Sequence, residues 1–215
     1  MAISKVNFNS LNVTPTASKT LKFNSSNDGL EAGDVGGALV LISEQTASSS
    51  STISFTSGID STYKEYIFKF IDIHPGTAGV FWTFQANASG GSGFNETITS
   101  TSFRAVHTEA GSGQLDYIAG IDQANGTSFQ NIISDGDIKT DNDSSLAGTL
   151  QLFNPSDTTF VKHFIATTNH MVNNSQISNN YVAGYFNTTS AIDEIQFKFD
   201  SGNIDAGTIK MYGVT

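Results

Sequence analysis

Apolar residues in this chain recur mainly at every second position, in short runs separated by glycine-rich segments. That period belongs to strands with one buried face. The clearest run is Tyr66–His74. Tyr66, Phe68, Phe70 and Asp72 fall on one face, and Ile67, Lys69, Ile71 and Ile73 on the other. Both faces carry apolar residues, which predicts a central strand, one face in the core and the other partly covered. His74-Pro75-Gly76-Thr77-Ala78-Gly79 has the composition of a turn. Val80–Ala86 alternates again, with Val80, Trp82 and Phe84 on one side, so the two runs predict a hairpin.

The C-terminal third repeats the theme. Thr149–Phe153 runs into the turn Asn154-Pro155-Ser156-Asp157. From Phe160 to Thr167, Val161, His163 and Ile165 share one face, and Phe160, Lys162 and Phe164 the other. Tyr181–Phe186 is a further strand. Ile195, Phe197 and Phe199 point inward with Gln196 and Lys198 outward, and Ile209 and Met211 point inward in the last strand, Thr208–Val214. No long run has a helical period. Strand candidates spaced by about ten to fifteen residues predict an all-β fold: a two-sheet antiparallel β-sandwich of jelly-roll type with about 10–13 strands. The 16 phenylalanines and single tryptophan supply side chains large enough to fill the space between two sheets.

Residues 1–35 differ from residues 36–215. Large apolar residues are sparse there, and Val6, Phe8, Leu11, Val13, Leu21 and Phe23 stand as isolated anchors. The segment reads either as an N-terminal arm that docks on a neighbouring subunit or as an edge strand plus loop. Val6, Phe8, Leu11, Leu21 and Phe23 are the docking candidates. Residues 36–215 form the sandwich domain. Within it, Asp135–Leu146 reads as an exposed acidic loop.

Charge narrows the choice of partner. The formal charge is −10, only 14% of residues are charged, and Arg104 is the sole arginine. An acidic surface repels phosphate, which argues against nucleic acid. There is no cysteine, hence no disulfide framework or thiolate zinc site. The N-terminal residues lack the apolar stretch of a signal peptide. No apolar run approaches the ~20 residues of a membrane helix. The expectation is a protein made and folded in a cytoplasm, with no membrane partner.

No catalytic pattern emerges. Asp135, Asp137, Asp141 and Asp143 suggest a calcium loop, but the EF-hand pattern fails, since Lys139 sits where a ligand belongs and the closing glutamate is missing; the segment reads as a solvated loop, with a looser sandwich-type calcium site as the alternative. His74, His107, His163 and His170 are not paired at metal-ligand spacing. Gly90-Gly91-Ser92-Gly93 lacks the strand–turn–helix context of a nucleophile elbow. Asp72, Glu96 and Glu109 are the carboxylates that a sandwich glycosidase would pair. The expectation is a non-enzymatic chain with no cofactor and no metal. Trp82, Tyr117 and Tyr181 are candidates for stacking on a sugar, with Tyr63 and Tyr185 behind them. For Trp82, flanked by Phe81 and Phe84, core filling is the stronger reading.

Several stretches carry a resemblance. They are Gly36–Ile42, Thr46–Phe55, Tyr66–Pro75, Val182–Ile192 and the ending Ser201–Gly213. Together they resemble a family of small structural proteins encoded by marine tailed bacteriophages, including those of cyanobacteria. The resemblance covers most of the chain and assigns no functional residue. It implies a virion component assembled in the host cytoplasm, with other virion proteins (major capsid or tail proteins) as partners. A capsid decoration or cement protein, docked by its N-terminal arm or an edge strand and able to form a homotrimer, is the first expectation. A tail-fibre or receptor-binding module that recognises a host glycan is the alternative.

Overall fold

The computed structural model describes residues 19–26, 28–34, 38–173 and 175–215. The chain divides into two compact units, Met1–Ala38 and Leu39–Thr215. In the first, β1 (Lys19–Phe23) and β2 (Leu30–Asp34) form an antiparallel hairpin. Leu21 lies opposite Ala32, and Phe23 opposite Leu30. Asn24 closes the turn: its amide donates to the Asp28 carboxylate at 2.8 Å, and its backbone N–H donates to Gly29 O at 3.0 Å. Val6, Phe8 and Leu11 lie outside the described residues.

The second unit is built from β3 (Leu39–Thr46), β4 (Ile53–Phe55), β5 (Glu65–Pro75), β6 (Trp82–Ala88), β7 (Ile98–Thr108) and β8 (Gly113–Tyr117). There follow β9 (Ala124–Gly126), β10 (Gln130–Asn131), β11 (Leu146–Phe153), β12 (Lys162–Val172), β13 (Gln176–Phe186), β14 (Ile192–Phe199) and β15 (Ile204–Val214). The described strands outnumber the expectation because β4, β9 and β10 are two or three residues long. So short a strand shows no period.

Two antiparallel sheets pack face to face, as a sandwich requires. The larger has the order β3-β15-β5-β11-β12-β13-β7-β8, with β9 also on β7, and the smaller has the order β10-β6-β14-β4. The chain passes repeatedly from one sheet to the other. Aromatic rings fill the space between. Trp82 from β6 and Phe197 from β14 meet Phe68 and Phe70 from β5, and Phe84 from β6 meets Phe164 from β12 and Phe186 from β13. Ile195, Phe197, Phe199, Ile209 and Met211 are buried, as their alternation predicts.

The predicted hairpin between Tyr66–His74 and Val80–Ala86 does not form. Both edges of β5 are taken, by β15 and β11, and β6 lies in the opposite sheet between β10 and β14. Every residue of β6 is buried. Such a strand needs cover on both faces and belongs inside the sandwich rather than beside β5.

The alternation of β5 breaks at Asp72. Asp72 adopts φ of 50° and forms a bulge, so Phe70 pairs with Gly148 while Ile73 pairs with Leu146. One extra residue reverses the faces beyond it. Ile73 therefore enters the core and Asp72 turns to solvent, the reverse of the expected placement. Gly207 on β15 accommodates the bulge. It has φ of 121°, and a Cβ there would lie 2.7 Å from both Asp72 O and Ile73 Cα. Gly207→Ala is expected to cost roughly 1–3 kcal/mol in chemical unfolding, from left-handed strain and backbone overlap. A cost below 0.5 kcal/mol, order-of-magnitude noise for a surface change, would show that the bulge does not depend on it.

The acidic segment is not simply exposed. Ile138, Ser144 and Leu146 are buried. Asp135 pairs with Arg104, and Asp137 with Lys139. Ion pairing and the apolar Ile138 fold the segment against the sandwich, leaving Thr140–Asp143 as its exposed tip.

Candidate binding surfaces

The smaller sheet covers one face of the larger sheet. On the other face, strands β11, β12, β13, β7 and β8 turn out a set of side chains that includes no Asp, Glu, Lys or Arg. Strand register arranges them in rows across the sheet. One row runs Tyr117, Phe103, Tyr181, Thr167, Thr149. The next runs Thr101, Ala183, Ile165, Gln151, and a third begins Thr99, Tyr185, His163 and ends at Phe153. Formal charge returns on β5, β15 and β3, where Lys69 lies 5.3 Å over the Tyr212 ring and Lys210 pairs with Glu44 at 3.0 Å. The charges of β7 and β8 do exist, but Arg104 and Asp116 belong to the alternate positions and face inward.

The face is also rich in exposed apolar side chains. Leu115 is 71% exposed, Tyr117 67% and Phe103 46%. Phe103 and Tyr181 stack with ring centroids 4.7 Å apart. The Tyr117 hydroxyl donates to the Asp122 carboxylate, which raises its pKa above the ordinary phenol value. Beside this cluster lies an open concavity of about 500 Å³ lined by Thr99, Thr101, Phe153, His163, Ile165, Ala183 and Tyr185. Its floor is low because Ala183 is small and Gly184, behind it, lets the Phe164 ring close in; a Cβ at Gly184 would lie 2.7 Å from that ring. The His163 and Tyr185 rings stand 5.9 Å apart at its wall.

Of the residues singled out for stacking, Tyr117 and Tyr181 come together through Phe103. Trp82 does not join them: it is fully buried, stacked on Phe197 at 6.1 Å and tilted against Phe199 at 4.9 Å, which corrects its candidacy as a sugar platform. Tyr63 packs on Tyr66 and across Gly213. Tyr185 lines the concavity. Phe103, Phe153 and His163 were not singled out as a surface. Their signal is the absence of charge on one face of five strands, which appears only once the pairing is known.

Leu21 and Phe23 lie on the hairpin of the first unit. Both are exposed, at 40% and 70%, as is Leu30 opposite Phe23 at 37%. The other face of the hairpin carries the Lys22–Glu31 ion pair at 3.3 Å. The hairpin is thus amphipathic, with Leu21, Phe23 and Leu30 exposed on its apolar face.

The carboxylates Asp72, Glu96 and Glu109 are not brought together. Asp72 is on β5, Glu109 follows β7, and β11, β12 and β13 lie between those strands. Glu96 accepts a hydrogen bond from the Ala88 N–H at 2.9 Å. Among the described residues, no group of three or more His, Asp or Glu side chains is placed to hold a metal ion.

Beneath the uncharged face lies a buried polar cluster. Asn180 accepts from the Ser134 N–H at 2.9 Å and from the Ser134 hydroxyl, and its amide lies 3.4 Å from His170 Nδ1. Arg104 bridges Asp116 and Asp135. Burial pushes the His170 pKa down to about 4, against the opposing pull of the Asp135 charge. The cluster ties Ser134 and Asp135 to β7, β12 and β13, which steadies the face above. Lys162 is buried too; its ammonium donates to Phe160 O at 2.7 Å, and burial lowers its pKa.

No protein-family model matches the chain, and no curated protein matches it.

Proposed function

We propose that this chain is a non-enzymatic structural protein of a bacteriophage virion, a capsid decoration or cement protein attached through its N-terminal hairpin. The observation that carries the reading is the exposure of Leu21, Phe23 and Leu30 on one face of the hairpin. A two-stranded hairpin is marginal in water, so one that exposes Leu21, Phe23 and Leu30 gains order by docking. Burying such side chains contributes about 1.5–3 kcal/mol each, and a hairpin edge can add backbone hydrogen bonds to a partner. The resemblance to structural proteins of marine tailed phages supplies the partner class, a major capsid or tail protein.

Leu21→Ser combined with Phe23→Ser is expected to abolish retention on purified particles, a loss of affinity of about a hundredfold or more. The melting temperature of the Leu39–Thr215 unit should stay unchanged in the same variant. Retention of the double variant at the natural level would overturn hairpin docking.

A further inference from the structure

We infer that the concavity on the outer face of the larger sheet is a binding site for a neutral saccharide. The inference goes beyond attachment through the hairpin and does not depend on it.

Three observations point to this class of ligand. The first is charge. The four strands that carry the concavity turn out no Asp, Glu, Lys or Arg on that face, in a protein whose net charge is −10. A sulfated, phosphorylated or uronic ligand would find no counter-charge there, and a cationic one no acid. The second is the spacing of the rings. Tyr185, His163 and Phe153 stand on three adjacent strands, β13, β12 and β11, in one row. Neighbouring strands lie about 4.8 Å apart, and the His163 and Tyr185 ring centroids stand 5.9 Å apart with their planes inclined at 59°, a separation on the scale of a pyranose ring. An extended glycan lying across the strands would set successive rings over successive aromatic side chains. The third is the chemistry of the wall. The apolar surface of Ile165 and Ala183 matches the C–H face of a sugar, while the His163 imidazole and Tyr185 hydroxyl rim the concavity and can hydrogen-bond its hydroxyls. Aromatic bodies with polar tips suit a surface wet on one side. The volume of about 500 Å³ falls within the range of ligand clefts, and its open sides let a chain run through.

The test is titration of the full chain with short neutral oligosaccharides of the glucan, mannan and galactan series, followed by calorimetry and NMR shift mapping. The expected result is saturable binding to at least one series, with shifts centred on Tyr185, His163 and Ala183. Tyr185→Ala should weaken binding about tenfold, the loss of one stacked ring, while Tyr185→Phe keeps most of it. A sulfated oligosaccharide should bind no better than its neutral parent. Leu21→Ser/Phe23→Ser should bind as the natural protein does, and Tyr185→Ala should remain on particles, so the two readings fail separately. Absence of binding across the three series would overturn the inference. So would shifts mapping elsewhere, or salt-sensitive preference for the sulfated ligand.

Discussion

Phe197→Ala is expected to lower the stability of the sandwich by about 3–5 kcal/mol. Phe197 sits on β14 with its ring 5.2 Å from Phe70, 5.4 Å from Phe68, 6.1 Å from Trp82, 6.3 Å from Phe55 and 6.4 Å from Phe84. Phe68 and Phe70 come from the larger sheet, and the others from the smaller. The ring is therefore a main point of packing between the two sheets, beside the Trp82–Phe70 and Phe84–Phe164 contacts. Removing it deletes contacts to both, and rings fixed on hydrogen-bonded strands cannot collapse into the space. Against a total of about 5–15 kcal/mol for a domain, the loss is a large fraction. Phe197→Leu keeps much of the volume and should cost about 1.5 kcal/mol or less. Urea unfolding at neutral pH measures both. A cost below about 1 kcal/mol for the alanine variant would mean that the sheets are not joined through this ring.

Mild acid is expected to destabilise the protein through His170. Its ring is buried on β12 beside Asn180 and is held at a pKa of about 4, against an ordinary 6.5. Above pH 6.5 the ring is neutral in both folded and unfolded chains, and its contribution is fully present. Between pH 6.5 and 4 the unfolded chain binds a proton that the folded chain excludes, so stability falls by roughly 3 kcal/mol across that window. Burial drives the shift and Arg104 adds to it, while Asp135 opposes it. Asp60 and Asp157, held below the usual carboxylate range by hydrogen bonds from Thr62 and from the Phe160 backbone, lose their contributions only at lower pH. The windows are therefore separable. Urea midpoints from pH 7 to 4 should fall steeply in the natural protein and flatten in His170→Gln. An equal slope in both would remove His170 as the cause.

Alternation reads inward and outward positions correctly wherever a strand is regular. Phe197 and Phe199 on β14, and Ile209 and Met211 on β15, are where their period puts them. It fails at Asp72, because a bulge inserts one residue and period-two reasoning carries no phase across it. Asp72 itself tolerates positive φ better than most residues, yet nothing local in the sequence announces the bulge; the complementary Gly207 lies on another strand. The Tyr66–His74 and Val80–Ala86 runs are real strands, but sequence proximity suggests a pairing that long-range competition from β15 and β11 overrides. The same limit applies to the surfaces. Tyr117 and Tyr181 are visible as candidates, whereas their union through Phe103 depends on β7 lying between β8 and β13. Arg104 and Asp135 are far apart in sequence, and their pairing draws an apparently free acidic segment onto the sandwich.

The outer face and the hairpin divide the proposed work: the hairpin attaches the protein, and the concavity meets a ligand. Attachment is the premise of a virion role, and it is measured by the copy number and position of this chain in purified particles, from quantitative gels and electron-microscopy density. Copies in fixed ratio to the capsid protein, with density for the hairpin against that protein, are the predicted result. Absence of the chain from particles, or its confinement to the tail without hairpin contact, would contradict it.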